Sequence, residues 1–235
     1  WTHAFYALSS YSQIEEAKHF DTVSLGWSHM TYDAENGARL STENDGTSSF
    51  CLPTAYADVV PELRDAGVDL KLCVFMSGTK LREMLKDAVA RTAAVGEIMA
   101  EMERVYPDLG YNPYSGVTIE FEGLRASDRE NFVAFMTEMS AALQEKGQTL
   151  YVAVMPAVFA EAYFDGYDFA ALGRLCDRVI LMAHDYASTN LTGFLRSRYY
   201  RNNPCAPLYK VYYAVRAAAE QMEEPKKLTL AVSMD

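Results

Sequence analysis

The run Ser115-Gly116-Val117-Thr118-Ile119-Glu120-Phe121-Glu122-Gly123 carries the residues best placed to do chemistry. Its apolar, β-branched character suits a strand, and strand side chains alternate between two faces. Val117, Ile119 and Phe121 therefore point one way, and Thr118, Glu120 and Glu122 the other. Two carboxylates spaced by two along one face lie about 6–7 Å apart. If that face lines a confined interior, their like charge raises at least one pKa, and groups pushed apart in this way serve acid/base chemistry. The alternative is a solvated strand end with two surface glutamates, against which Ile119 and Phe121 mark a core strand. E-x-E alone is a weak pattern, and its meaning comes from the elements that position it.

Short apolar runs alternate with longer amphipathic stretches along the whole chain, as βα units require. The predicted strands are Ala4–Leu8, Thr22–Trp27, Leu70–Met76, Gly116–Phe121, Leu150–Met155, Arg178–Ala183 and Leu228–Ser233. Between Asp128 and Lys146, Phe132, Phe135, Met136, Met139, Ala142 and Leu143 recur at helical spacing and form one apolar face. Ser127 with Glu130 three residues on suits a capping box, and Gly147 suits the stop. Leu81–Val105 and Tyr209–Met222 are predicted as further helical regions.

Strands separated by helices imply a parallel sheet, either open and doubly wound or closed as a (β/α)₈ TIM barrel. No glycine-rich nucleotide motif follows any strand, and polar residues collect at a strand's C-terminal end, where barrels place their chemistry. The α/β barrel is therefore the expected fold. Seven strands are one short of eight, and the chain stops at Asp235. The expectation is one catalytic barrel over residues 1–235, truncated after its seventh strand.

The chain has 235 residues, half of them apolar and 23% charged, which suits a single domain with a sizeable core. A net charge of −11 repels phosphate backbones and anionic headgroups, so nucleic acid and membrane surfaces are not expected partners, whereas a neutral polymer is compatible. No apolar run approaches the ~20 residues needed to span a bilayer. Trp1 opens directly onto a strand, so any export signal is expected upstream. Cys51, Cys73, Cys176 and Cys205 have no zinc-ribbon spacing, and Cys73 and Cys176 lie in or beside apolar runs as expected buried thiols. His3, His19 and His29 show no metal-binding spacing, and no G-x-S-x-G elbow exists.

Gly116–Glu122 resembles the fourth-strand signature of the family 18 glycoside hydrolases, D-x-x-D-x-D-x-E, whose four motif positions fall here on Ser115, Thr118, Glu120 and Glu122. Tyr151–Pro156 resembles the fifth strand of that family, Val179–Tyr186 the sixth with its M-x-Y-D, and Phe75–Gly78 the turn ending the third. Phe121-Glu122-Gly123-Leu124 and Leu181–Tyr186 are most similar to the bacterial branch of spore-cortex and cell-wall enzymes. The resemblance implies a retaining hydrolase of β-linked N-acetylglucosamine polymers, peptidoglycan or chitin-like, without metal or cofactor. It implies that Glu122 is the general acid/base and that Glu120 orients the substrate's own 2-acetamido group, which attacks in place of a protein nucleophile. Met182, His184, Asp185 and Tyr186 are the implied sugar contacts from the sixth strand, with Thr118 at a motif position. Trp27 and Tyr6 are candidate stacking platforms at the barrel mouth, or else core residues. An extracellular or wall-associated location, a polysaccharide partner and wall-binding modules outside these residues follow from the same resemblance.

The departures from the family pattern are specific. Glu120 is one methylene longer than the usual aspartate, Ser115 and Thr118 replace two acids, and His184 replaces the tyrosine. With less like charge nearby, Glu120 is expected to ionise more readily. The altered motif leaves a second reading, a catalytically impaired glycan-binding protein of the same fold. Tyr199–Asn203 is expected in a long loop after the sixth strand, and Asn190-Leu191-Thr192 fits a glycosylation sequon.

Overall fold

A computed structural model describes residues 1–44, 46, 48–157, 165–184, 186 and 205–232. Asp185, Asn190–Thr192 and Tyr199–Asn203 lie outside the described residues. The frame is a sheet of parallel strands in chain order: β1 (His3–Tyr6), β2 (Thr22–Asp33), β4 (Asp69–Ser77), β5 (Gly116–Glu122), β6 (Thr149–Val154), β7 (Arg178–Leu181) and β8 (Leu228–Leu230). β3 (Gly37–Ser41) pairs antiparallel with the far end of β2. The helices are α1 (Ile14–Ala17), α2 (Tyr56–Asp65), α3 (Gly78–Lys86), α4 (Ala88–Glu103), α5 (Arg129–Glu145), α6 (Phe169–Leu175) and α7 (Leu208–Ala219). The seven expected parallel strands are all present, each within a few residues of its predicted bounds except β2.

The sheet curls. The rings of Trp1 and His3 lie 5.7 and 5.8 Å from Tyr151 on β6. In a flat sheet β1 and β6 would stand four strand spacings apart, about 19 Å. On β2, Ser24 Oγ reaches Thr118 Oγ1 on β5 at 2.6 Å. Such contacts require a barrel-like wall whose interior lies on the Thr118 side. On the outer side, the Phe121 ring packs 5.1 Å from Phe135 and 6.2 Å from Phe132 of α5. Phe132, Phe135, Met136, Met139 and Leu143 are buried there, the face that the helical spacing predicts.

Three local expectations are corrected. The region Leu81–Val105 is two helices, because Asp87 leaves helical geometry and its carboxylate caps α4 by accepting from the Val89 and Ala90 amides. α5 is entered through a 3₁₀ turn, Ala126–Asp128, and Asp128 Oδ2 accepts from the Arg125 amide, so Ser127 is not the cap. β2 continues past Trp27 to Asp33, because an irregularity between Leu25 and Ser28 restarts the alternation and a hairpin follows. Gly147 does end α5: at φ +65° its amide donates to Gln144 O while Gln148 donates to Leu143 O.

Candidate active site

Cross-strand partners share a face, so the register of β4 on β5 stacks interior residues in layers. From floor to mouth the pairs are Lys71 with Gly116, Cys73 with Thr118, Phe75 with Glu120, and Ser77 with Glu122. The floor is a polar cluster around one buried lysine, open to solvent on the Asp69 and Ser115 side. Lys71 is 1% exposed and its ammonium donates at 2.7 Å to each of Asp69 Oδ2, Ser115 Oγ and Thr149 Oγ1, which uses all three of its protons. Gly116 leaves room for this seat, since a Cβ there would lie 2.3 Å from the Thr149 carbonyl oxygen. Beside it, His3 Nδ1 lies 2.7 Å from Thr22 Oγ1. Burial, helped by the Lys71 charge and opposed by Asp69, pushes the His3 imidazole down to about 4. Ser115, the first motif position, therefore serves the floor.

Above the floor the ladder turns toward chemistry. Thr118 is fully buried with its hydroxyl closed on Ser24. The Cys73 thiol, also fully buried, donates to Glu120 Oε2 at 3.1 Å. Burial holds the Glu120 carboxyl up at about 7; the Cys73 hydrogen bond acts against this and the Glu122 charge adds to it. The expectation that Glu120 ionises more readily is thus corrected, because loss of solvent outweighs the loss of neighbouring acids. Glu122 follows half-buried at the C-terminal end of β5. The strand end is held from behind: the Tyr167 phenol donates to Phe121 O at 2.7 Å, and the Gly166 amide donates to Leu124 O. Level with Glu120, Phe75 stacks on Phe50 at 4.1 Å with planes 3° apart, and His29 Nδ1 donates to the Phe50 carbonyl at 2.8 Å.

The structure brings Glu120 and Glu122 onto one interior face, as alternation predicts. It places other candidates elsewhere. Tyr6 pairs with Leu25, Leu25 with Leu72 and Leu72 with Val117, so Tyr6 lies on the opposite, helix-covered face. Trp27 packs edge-on against Tyr6, and the two are 1% and 3% exposed, which corrects their reading as sugar platforms. Thr118 is likewise sealed beneath the site. Tyr186 is partly buried against the core with the Lys210 ammonium of α7 5.2 Å from its ring. Met182 and His184 are half-buried just beyond β7, and the Met182 amide donates to Val154 O. Asp185 lies outside the described residues.

Sequence reasoning missed Cys73, Phe75, Phe50 and Tyr167. Cys73 and Phe75 were findable in part, since they alternate with apolar residues along β4. Which residue of β5 each one faces depends on register. Cys73 and Cys176 are buried free thiols, as expected. Among the described residues, no group of three or more His, Cys, Asp and Glu side chains could hold a metal ion, and no helix is long and apolar enough to cross a membrane.

A curled parallel sheet with two carboxylates facing inward at a strand's C-terminal end defines an α/β-barrel type of protein with a candidate site at that end. The sequence pattern of the glycosyl hydrolases family 18 matches residues 2–235, and the chain belongs to that family. Over 108 residues it is 32% identical to YdhD of Bacillus subtilis strain 168, named as a sporulation-specific glycosylase, covering 45% of this chain and 24% of that protein. The fold is similar to a chitinase from Chromobacterium violaceum, at TM-score 0.72 and 20% identity over 98% of this chain and 67% of that one. It is also similar to the spore cortex-lytic enzyme SleL of Bacillus cereus, at TM-score 0.65 and 15% identity over 97% of this chain and 49% of that one. The chain thus spans about half to two thirds of these solved structures and the match covers about a quarter of YdhD.

Proposed function

We propose that residues 1–235 form the catalytic barrel of a retaining glycosidase that cleaves β-linked N-acetylglucosamine-containing polysaccharide by substrate-assisted catalysis. The observation that carries this reading is the placement of Glu120 and Glu122 on one interior face at the C-terminal end of β5. Glu122, at the rim, gives its proton to the glycosidic oxygen as the bond to the anomeric carbon breaks. The substrate's acetamide oxygen attacks that carbon from the other side and forms an oxazolinium ion. Glu120, one layer deeper, accepts from the acetamide N–H and faces the developing positive charge. Glu122, now a carboxylate, takes a proton from water as the water opens the ring, so configuration is retained. Holding the acetamide in a near-attack geometry supplies much of the rate. Met182, His184 and Asp185 are assigned to the sugar beside this centre.

The names of the relatives support peptidoglycan or a chitin-like polymer as substrate and action outside the cell or at its wall. Wall-binding modules in the longer protein would suit that setting. Hydrolysis of N-acetylglucosamine oligomers and purified peptidoglycan by the full-length protein tests the reading. General acid catalysis contributes about 10²–10⁴-fold, so Glu122→Gln is expected to lose at least about 100-fold in kcat. Equal turnover by Glu122→Gln removes it from this role. The burial of Glu120, which disfavours the charged form that orients the acetamide, keeps a glycan-binding reading in view, and tight binding of the oligomers without cleavage would establish that reading instead.

A further inference from the structure

Resting on that reading, we infer that Cys73 is a positioning residue whose S–H donates to the Glu120 carboxyl and holds it aimed into the site. Glu120 has one more torsion than the aspartate of the family pattern and therefore more orientations to suppress. Its carboxyl needs a fixed partner, and the acids that could share a proton with it are absent at Ser115 and Thr118. Ser115 serves the Lys71 seat, and the Thr118 hydroxyl is closed on Ser24 at 2.6 Å. The Cys73 thiol, in register with Thr118 and so one layer below Glu120, is the donor that meets Oε2 at 3.1 Å.

The chemistry suits this place. Burial raises the thiol well above its ordinary range, as do the neighbouring Glu120 and Glu122 charges, so the sulfur keeps its proton and donates. A donor on a carboxylate favours the ionised form, and burial disfavours it. The titratable groups that act on Glu120 are Cys73 on β4 and Glu122 on β5, while Tyr167 from the segment before α6 feels the Glu120 charge in turn. Of these the thiol lowers its pKa and Glu122 raises it. Cys73 thus offsets part of the cost of keeping Glu120 charged in a largely buried position, and the resulting carboxylate is the form that accepts from an acetamide N–H.

The test compares Cys73→Ala and Cys73→Ser in the full-length protein on N-acetylglucosamine oligomers, across pH. A hydrogen bond to a charged group corresponds to about tenfold in rate. Cys73→Ala is expected to lose about that factor in kcat with little change in KM, and the acid limb of kcat/KM moves to higher pH. Cys73→Ser, which still donates, recovers most of the loss. Wild-type kcat and an unmoved acid limb in Cys73→Ala overturn the inference. Equal losses in both variants with early melting also overturn it, since they make the thiol a packing group. The infrared S–H stretch, isolated as wild type minus Cys73→Ala, reads the contact without turnover. It is expected at the lowered frequency of a donor and to rise in Glu120→Gln, and a free-thiol frequency in wild type refutes the contact. If wild type shows no turnover while the band is lowered, the glycosidase reading fails and the contact stands.

Discussion

At Glu120 three influences compete over one proton, and burial is the largest. Its carboxyl is held at about 7 against an ordinary 4.5, so between these values the folded chain keeps a proton that the unfolded chain has released. Stability therefore falls as pH rises through that window, by about 3 kcal/mol at the limit. Glu120→Gln removes this term. Urea unfolding of the two proteins is expected to show the variant gaining on wild type from pH 4.5 to 7. An unchanged difference across that range would mean that Glu120 is solvated. The pairing of Glu120 with Glu122 was legible in the sequence, because a period of two is a local property of the strand. The Cys73 contact was not, because it depends on which residues of β4 and β5 stand level.

At the scale of elements, α5 shows how far a periodic pattern carries. The apolar spacing from Phe132 to Leu143 predicts both the helix and its buried face, and Phe135 meets Phe121 on the back of the strand that carries the two glutamates. Phe135→Ala removes that ring and is expected to cost about 3–5 kcal/mol in thermal or urea unfolding. A cost near 1 kcal/mol would mean that α5 packs loosely on β5. The hairpin of β2 with β3 escaped the pattern because the irregularity between Leu25 and Ser28 shifts the alternation. A local signal existed in Asn36-Gly37, where the turn forms with Gly37 at φ +76° and Asp33 accepting from the amides of Glu35 and Asn36. The break at Asp87 is another local signal, a helix-capping aspartate inside an otherwise continuous helical stretch.

Across the whole molecule the barrel interior titrates in two senses. At the floor His3 is held at about 4 against an ordinary 6.5, so between these values the unfolded chain binds a proton that the folded chain refuses. That stability is present above 6.5 and is lost as pH falls through about 4, opposite in sign to Glu120 near the mouth. His3→Gln is expected to gain on wild type as pH falls from 6.5 to 4, while Glu120→Gln loses its advantage over the same range. Parallel pH dependence of the two variants would contradict the layered arrangement. The floor also rests on Lys71, and Lys71→Ala removes its buried stem and three hydrogen bonds while leaving Asp69 partly solvated, for an expected loss of about 1–3 kcal/mol in urea unfolding.

The sequence by itself determined the order of the seven parallel strands, the helical stretches around α3 to α5 and α7, the parallel α/β class, the inward pair Glu120 and Glu122, and the family likeness that the matching pattern shows. All of these follow from periodicity or from motifs within a few residues. Only the tertiary structure decided that Tyr6 and Trp27 belong to the core, that Thr118 is sealed against Ser24, and that Ser115 seats a lysine. Only it decided that burial is the largest influence on Glu120, with a thiol acting against it and the Glu122 charge adding to it. The reason is common to all four. Side-chain direction along one strand is a local property, whereas register and the curl of the sheet arise from pairing between segments far apart in the chain.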